Sequence, residues 1–185
     1  MKLIILDRDG VINLDAAQPI RSPDEWVPIP GSLEAIARLN QAGYRVVVAT
    51  NQSGIARGML DIMMLNAIHQ KMHEFAQAVG AEIDAVFFCP HAADDHCDCR
   101  KPQPGMLQAI AQRFEISLKG MPHVGDSLRD LQAAFVAGCT PCLVSTGKGQ
   151  MTQAKGGLPP GTKIFVDLAD VVDHLLSLPS APPAR

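Results

Sequence analysis

Aromatic residues are scarce in this chain, with one Trp, one Tyr and six Phe among 185 residues. A core built here must rest on Val, Ile, Leu, Ala and Met. There is no basic excess either: 16 Lys and Arg face 19 Asp and Glu, for a formal net charge of −3. That argues against a nucleic-acid binder, whose phosphate contacts need a cationic face. Long apolar runs are missing. The longest early one, Leu3–Leu6, is too short for a signal peptide or a membrane span, so a cytoplasmic protein with no membrane partner is expected. The five cysteines are an odd number with no secretory segment, which excludes a disulfide scaffold as the expected framework.

What is present suits one domain of ordinary size over residues 1–185. Apolar content of 47% and charged content of 19% are globular values, and a chain of this length buries roughly 70% of its unfolded surface. Apolar runs alternate with helical patterns. Leu3–Leu6, Arg45–Ala49, Ile83–Phe88, Met121–Val124, Pro141–Val144 and Lys163–Val166 read as strands. Helices are predicted over Ser32–Gln41 with Ser32 as N-cap, Asp61–Val79 with Asp61 as cap, Pro104–Phe114, Leu128–Ala137 ended by Gly138, and Leu168–Leu176. Lys148–Gly161, rich in Gly and Pro, reads as a mobile loop, and 178–185 as a disordered tail. Strand–helix alternation implies α/β architecture, a parallel sheet with helices on both faces. Such sheets bind ligands at the carboxyl ends of their strands. Asp7 and Asp9, Thr50 and Asn51, and Gly125-Asp126 all follow strands and are expected to converge there.

Asp7-Arg8-Asp9-Gly10 crowds two carboxylates straight after a buried strand. Such crowding needs a cation or a shared proton, and Mg²⁺ accepts one or two carboxylates together with phosphate oxygens and water. Gly10 lets the chain turn so that both acids face one point. Taken alone, an acidic turn explains the same residues. Lys101 alone reads as a surface lysine, Thr50-Asn51 as a turn, and Asp126 or Ser127 as a helix cap.

Together, Asp7-x-Asp9-Gly10, Thr50, Lys101 and Gly125-Asp126-Ser127-x-x-Asp130 resemble the four ordered motifs of the haloacid dehalogenase superfamily of phosphotransferases, over most of the chain. Three longer segments, Asp7–Asn13, Thr50–Gly58 and Cys97-x-Cys99-Arg100-Lys101-Pro102, are similar to its heptose bisphosphate phosphatases; histidinol-phosphate phosphatases share much of that pattern. The resemblance implies a Rossmann-like three-layer sandwich without a large cap domain. It implies a magnesium-dependent hydrolase that removes the C7 phosphate of a heptose bisphosphate. Asp7 is then the nucleophile, and Asp9 the acid–base, protonated when substrate binds. Asp7, the Asp9 carbonyl and Asp126 hold magnesium. Lys101 and Thr50 stabilise the phosphoryl oxygens. Asp130 either supports the site through hydrogen bonds or lies on an exposed helical face. A different class of reading is an inactive, zinc-stabilised binding module, which the intact Asp7, Asp9, Lys101 and Asp126 oppose.

Cys89-Pro90-His91 and Cys97-Asp98-Cys99 offer three thiols and an imidazole, a set suited to tetrahedral, structural Zn²⁺. His96 is the rival imidazole; the Cys-x-His spacing and the resemblance favour His91. Zinc here would stiffen the loop and hold Arg100 and Lys101. Cys139-x-x-Cys142 reads as a buried pair ahead of a redox motif. For the substrate, Arg8, Arg57 and Arg100 are candidate phosphate or sugar contacts. Asn51, Gln52, Ser53 and Ser127 lie within the matched segments and join them. The resemblance adds Asp15 and Gln18 within a flap over 13–30 that Trp26 packs, although Ala16-Ala17 replaces an aromatic common in relatives. A monomer acting on a small phosphosugar is expected.

Overall fold

The computed structural model describes residues 1–178. Six strands, β1 (Lys2–Leu6), β2 (Tyr44–Asn51), β3 (Ala85–Cys89), β4 (Pro122–Gly125), β5 (Thr140–Val144) and β6 (Lys163–Phe165), form one parallel sheet in the order β3-β2-β1-β4-β5-β6. Between them run α1 (Ser32–Gln41), α2 (Ile62–Ala78), α3 (Gly105–Phe114), α4 (Leu128–Val136), α5 (Gly149–Lys155) and α6 (Leu168–Ser177). The expected α/β sandwich is what forms.

Side-chain alternation along β1 explains the layers. Ile4 and Leu6 point into a cluster with α1, α2 and α6 residues such as Ile36, Leu65 and Val171. Leu3 and Ile5 point the other way, against Met106, Leu107 and Ile110 of α3 and Ala133 of α4. Each of these four β1 side chains is fully buried, which stabilises the fold by about 1.5–3 kcal/mol apiece. Strand order reverses between β1 and β4, and the crevice at their carboxyl ends is where such sheets take ligands.

Element ends follow local chemistry with two corrections. Asp61 caps α2 by accepting from the Met64 N–H at 2.8 Å, as expected. Ser32 does not cap α1. Gly31, at φ +84°, holds that position, and the Ser32 hydroxyl donates instead to the Val11 carbonyl at 2.8 Å. The expected loop over 148–161 contains α5, whose Gln150–Lys155 residues are acceptable helix formers between flanking glycines. Thr152 ties α5 down by donating to the Asp126 carbonyl at 2.8 Å. Trp26 is fully buried, with its ring edge-on to Phe75 at 5.9 Å, and so packs the segment after β1 as expected. Cys139 and Cys142 are buried free thiols whose pKa values burial pushes up to about 12, which makes them inert. The expected tail, beyond Leu178, lies outside the described residues. No helix among the described residues is long and apolar enough to cross a membrane.

Candidate active site

Asp7 leaves the end of β1 because its N–H still donates to Val124 of β4, at 2.8 Å. Its side chain therefore enters the β1/β4 crevice. Lys101, 1% exposed, reaches the same point from the loop after β3. Its three donors are all matched: Asp130 at 2.6 Å, Asp7 at 3.1 Å and the Ala49 carbonyl at 2.6 Å. Burial opposes the charge on Lys101. Asp130 and then Asp7 outweigh it and hold its pKa above the ordinary value. Asn51 fixes the Lys101 backbone with two reciprocal bonds, its amide donating to the Lys101 carbonyl at 3.0 Å and its oxygen accepting from the N–H at 3.1 Å.

The expectation for Asp130 was open between support and exposure. It is buried, and it accepts from Lys101 and from the Ser127 hydroxyl at 2.6 Å. Burial raises its pKa, but Lys101 overrides that and leaves it lowered. Asp126 points the other way electrostatically. Burial first, then Asp130, push its pKa up to about 7. Burial and Asp130 likewise raise Asp7.

Oxygens of Asp7, Asp126 and Asp130 lie within 4.8 Å of one another. Asp130 is engaged on both oxygens by Lys101 and Ser127, which leaves Asp7 and Asp126 as the freer carboxylates for a cation. Two buried carboxylates whose charged forms are disfavoured are a donor set that fits Mg²⁺. The backbone keeps the place small. A Cβ on Gly10 or Gly147 would collide with the Asp126 carboxylate, and both residues have positive φ.

Asp9 is organised separately. Arg8 Nε and Nη2 donate to its Oδ1 at 3.1 and 2.9 Å, Asn13 donates at 2.9 Å, and Gln52 donates to Oδ2 at 3.0 Å. Burial alone would raise the Asp9 pKa; Arg8, Asn13 and Gln52 reverse that and lower it. The expected protonation of Asp9 belongs to the substrate-bound state, and without substrate its neighbours favour the carboxylate. Arg8 is corrected. It is fully buried against Asp9 and lines neither of the two cavities at the site, which opposes a direct substrate contact. Thr50 is also turned inward. It is 1% exposed, and its hydroxyl accepts from Gln52 at 2.9 Å.

Two adjoining cavities meet at Asp9. The inner one, about 90 Å³, is lined by Asp7, Asp9, Lys101, Asp126 and Ser127 among others. The outer one, about 290 Å³, brings together the expected Asp15, Gln18, Asn51, Gln52, Ser53, Arg57 and Arg100. Arg129 and Lys148 line both cavities and were missed in the sequence. Arg129 follows the Ser127 cap of α4, which was a usable signal. Lys148 was hidden in the supposed loop, and its ammonium lies 3.3 Å from Asp15.

In the segment that leads from β3 to Lys101, Cys89, His91, Cys97 and Cys99 converge, their ligand atoms within 4.8 Å of one another. Sulfur–sulfur distances are 3.0, 3.6 and 3.6 Å, and His91 Nδ1 is 3.3 Å from Cys99 Sγ. Tetrahedral zinc with bonds of about 2.3 Å separates its ligands by about 3.8 Å, so the set is close to a zinc shell. His96, the rival imidazole, is outside the cluster. Arg100 donates to the His91 carbonyl at 3.2 Å, which links the cluster to the cavity wall.

A sheet with an aspartate at its switch point, a buried lysine and a carboxylate pair is an arrangement suited to phosphoryl-transfer hydrolases. A profile of the haloacid dehalogenase-like hydrolases matches residues 4–138, and the chain belongs to that family. It is 60% identical over 176 residues to the D-glycero-beta-D-manno-heptose-1,7-bisphosphate 7-phosphatase of Bordetella bronchiseptica, covering 95% of this chain and 98% of that protein. The enzyme of the same name from Pseudomonas aeruginosa is 55% identical over 174 residues, covering 94% and 97%. The crystal structure of the B. bronchiseptica D,D-heptose 1,7-bisphosphate phosphatase with magnesium and phosphate superposes with a TM-score of 0.94, at 60% identity, covering 95% and 98%.

Proposed function

We propose that this chain is a magnesium-dependent phosphomonoesterase that removes the C7 phosphate of D-glycero-D-manno-heptose 1,7-bisphosphate. The reading rests chiefly on one observation: Asp7 and Asp9, one carboxylate for attack and one for proton transfer, face a single small chamber together with Lys101 and Asp126. Similarity to enzymes named for the beta anomer favours that anomer here.

Asp7 attacks phosphorus and becomes an aspartyl-phosphate as the bond to the sugar oxygen breaks. Magnesium, held by Asp7, Asp126 and the Asp9 carbonyl, supplies neutralisation of the phosphoryl oxygens when bound. Lys101 adds a fixed positive charge on the same oxygens. Asp9 stands at the mouth between the cavities, where the leaving oxygen emerges. A phosphate dianion arriving beside Asp9 raises its pKa and favours uptake of a proton. Asp9 then protonates the leaving alkoxide, and as the resulting carboxylate it takes a proton from the water that hydrolyses the aspartyl-phosphate.

The outer cavity carries Arg57, Arg100, Arg129 and Lys148 against Asp9 and Asp15. That balance suits a second phosphate and disfavours the ammonium group of histidinol phosphate, the runner-up substrate. Zinc on Cys89, His91, Cys97 and Cys99 has no open position and is a structural brace. The setting proposed is a cytoplasmic monomer with reduced thiols. Phosphate release from both anomers of the heptose bisphosphate and from histidinol phosphate, by wild type and Asp7→Asn, tests the reading. Preference for histidinol phosphate rejects the substrate, and turnover by Asp7→Asn rejects the mechanism.

A further inference from the structure

Behind Asp9 lies a pair of residues that the proposed chemistry does not use. Arg8 is fully buried, and a buried guanidinium is costly unless its donors are matched. Two of its nitrogens take Asp9. The third, Nη1, lies 3.2 Å from Nε2 of His69 on α2. A guanidinium has no acceptor, so Arg8 is the donor and His69 Nε2 the acceptor. His69 is therefore neutral, with its ring proton on Nδ1. Burial first, then the Arg8 charge, push its pKa down to about 3, so it remains an acceptor at neutral pH. The ring packs against Phe88 with centroids 6.4 Å apart. Leu65, Ile68 and Met72, fully buried on the same helix, fix the helix to the core.

We propose that His69 is a positioning residue for the reaction: its neutral imidazole anchors Arg8, and Arg8 holds Asp9 at the mouth between the two cavities. Without that acceptor, Nη1 is buried and unpaired. Arg8 then shifts, and Asp9 keeps only its single bonds from Asn13 and Gln52. Small displacements of a catalytic group cost rate steeply. The inference rests on the reading of Asp9 as acid and base.

The test compares wild type, His69→Leu, His69→Gln and Asp7→Asn on two substrates, with melting curves in parallel. Heptose bisphosphate needs its leaving alkoxide protonated, whereas 4-nitrophenyl phosphate does not. Its phosphoryl-transfer step is read as the first turnover of nitrophenolate. His69→Leu is expected to lower kcat on the sugar phosphate about tenfold with KM nearly unchanged, a fraction of the ~10²–10⁴ that acid–base catalysis supplies. His69→Gln, whose amide oxygen still accepts from Arg8, is expected within about threefold of wild type, and nitrophenolate release within about twofold in both. Equal losses with the two leaving groups, equal losses in Leu and Gln, or an unchanged kcat in folded His69→Leu each overturn the proposal. If His69→Leu does not fold, Arg8→Lys, which keeps the charge and loses the fork, must show the same leaving-group contrast or the proposal falls. Turnover by Asp7→Asn would instead reject the reading beneath it.

Discussion

Lys101 Nζ and Asp130 Oδ1 lie 2.6 Å apart, both almost fully buried. The pair makes Lys101 a fixed charge beside Asp7, because Asp130 holds the ammonium that Asp7 shares at 3.1 Å. Removing one partner of such a pair costs about 3–5 kcal/mol, since the other is left buried and charged. Lys101→Met is expected to lower the unfolding free energy by that amount and to abolish turnover. The double variant Lys101→Met/Asp130→Leu is expected to recover much of the stability and none of the activity. Chemical denaturation of the two checks this, and equal stability of Lys101→Met and wild type would reject it.

Gly147 carries φ +56°, and a Cβ there would strike both Asp126 and Gly10. Gly147→Ala must displace the Asp126 carboxylate. The expected result is a rise of about tenfold or more in the Mg²⁺ concentration needed for half-maximal activity, equivalent to ~1.4 kcal/mol. A magnesium titration at saturating substrate measures it, and an unshifted midpoint would show that Asp126 is not held by this contact.

Chelation of zinc should loosen the loop that carries Arg100 and Lys101. Loss of about 3 kcal/mol, modest beside the ~10–16 kcal/mol that structural zinc supplies to zinc-finger peptides, lowers Tm by about 6–12 °C for a chain of this size. Metal analysis is expected to find zinc in wild type and none in Cys97→Ser. A metal-free wild type with an unchanged Tm in chelator would reject the site.

Arg129 borders both cavities, and the proposed reading sets it against the second phosphate of the substrate. A charge-assisted hydrogen bond contributes about 1.5–3 kcal/mol, so Arg129→Ala is expected to raise KM for the bisphosphate about tenfold or more. A heptose 7-phosphate lacking the second phosphate should show a smaller rise. Equal rises for the two would place Arg129 at the reacting phosphate instead.

His69 titrates near 6.5 when unfolded and near 3 when folded. Between those values the unfolded chain binds more protons, so stability falls as pH drops below about 6.5 and is retained above it. Each such histidine contributes up to about 1.4 kcal/mol per pH unit within that window. Unfolding free energies measured from pH 8 to 5 should therefore fall less steeply for His69→Gln than for wild type. Parallel slopes would mean that His69 is not buried neutral.

Local pattern made the strands, the α2 cap at Asp61 and the four motif segments legible. Each depends on residues near in sequence: apolar period, a capping side chain, a Gly or Pro at an end. The candidate site was legible to the extent that it sits at strand ends, which placed Asp7, Asp9 and Asp126 together; Lys101 entered only through the family resemblance. Arg8 was misread because its neighbours in the chain, Asp7 and Asp9, face the site. It is buried against Asp9 and against His69, 61 residues away. Asp130 stayed open because Lys101 comes from another loop. Lys148 was lost with α5, whose flanking glycines and prolines outweighed six ordinary helix-forming positions.

By itself, then, the sequence determined the α/β class, the order of the motifs and the chemistry available at the β1 turn. Tertiary structure decided which acid its surroundings push up and which they hold down, which arginine is buried, and which lysine is paired. Those outcomes depend on burial and on charges brought from distant segments, and periodicity along the chain carries no record of either.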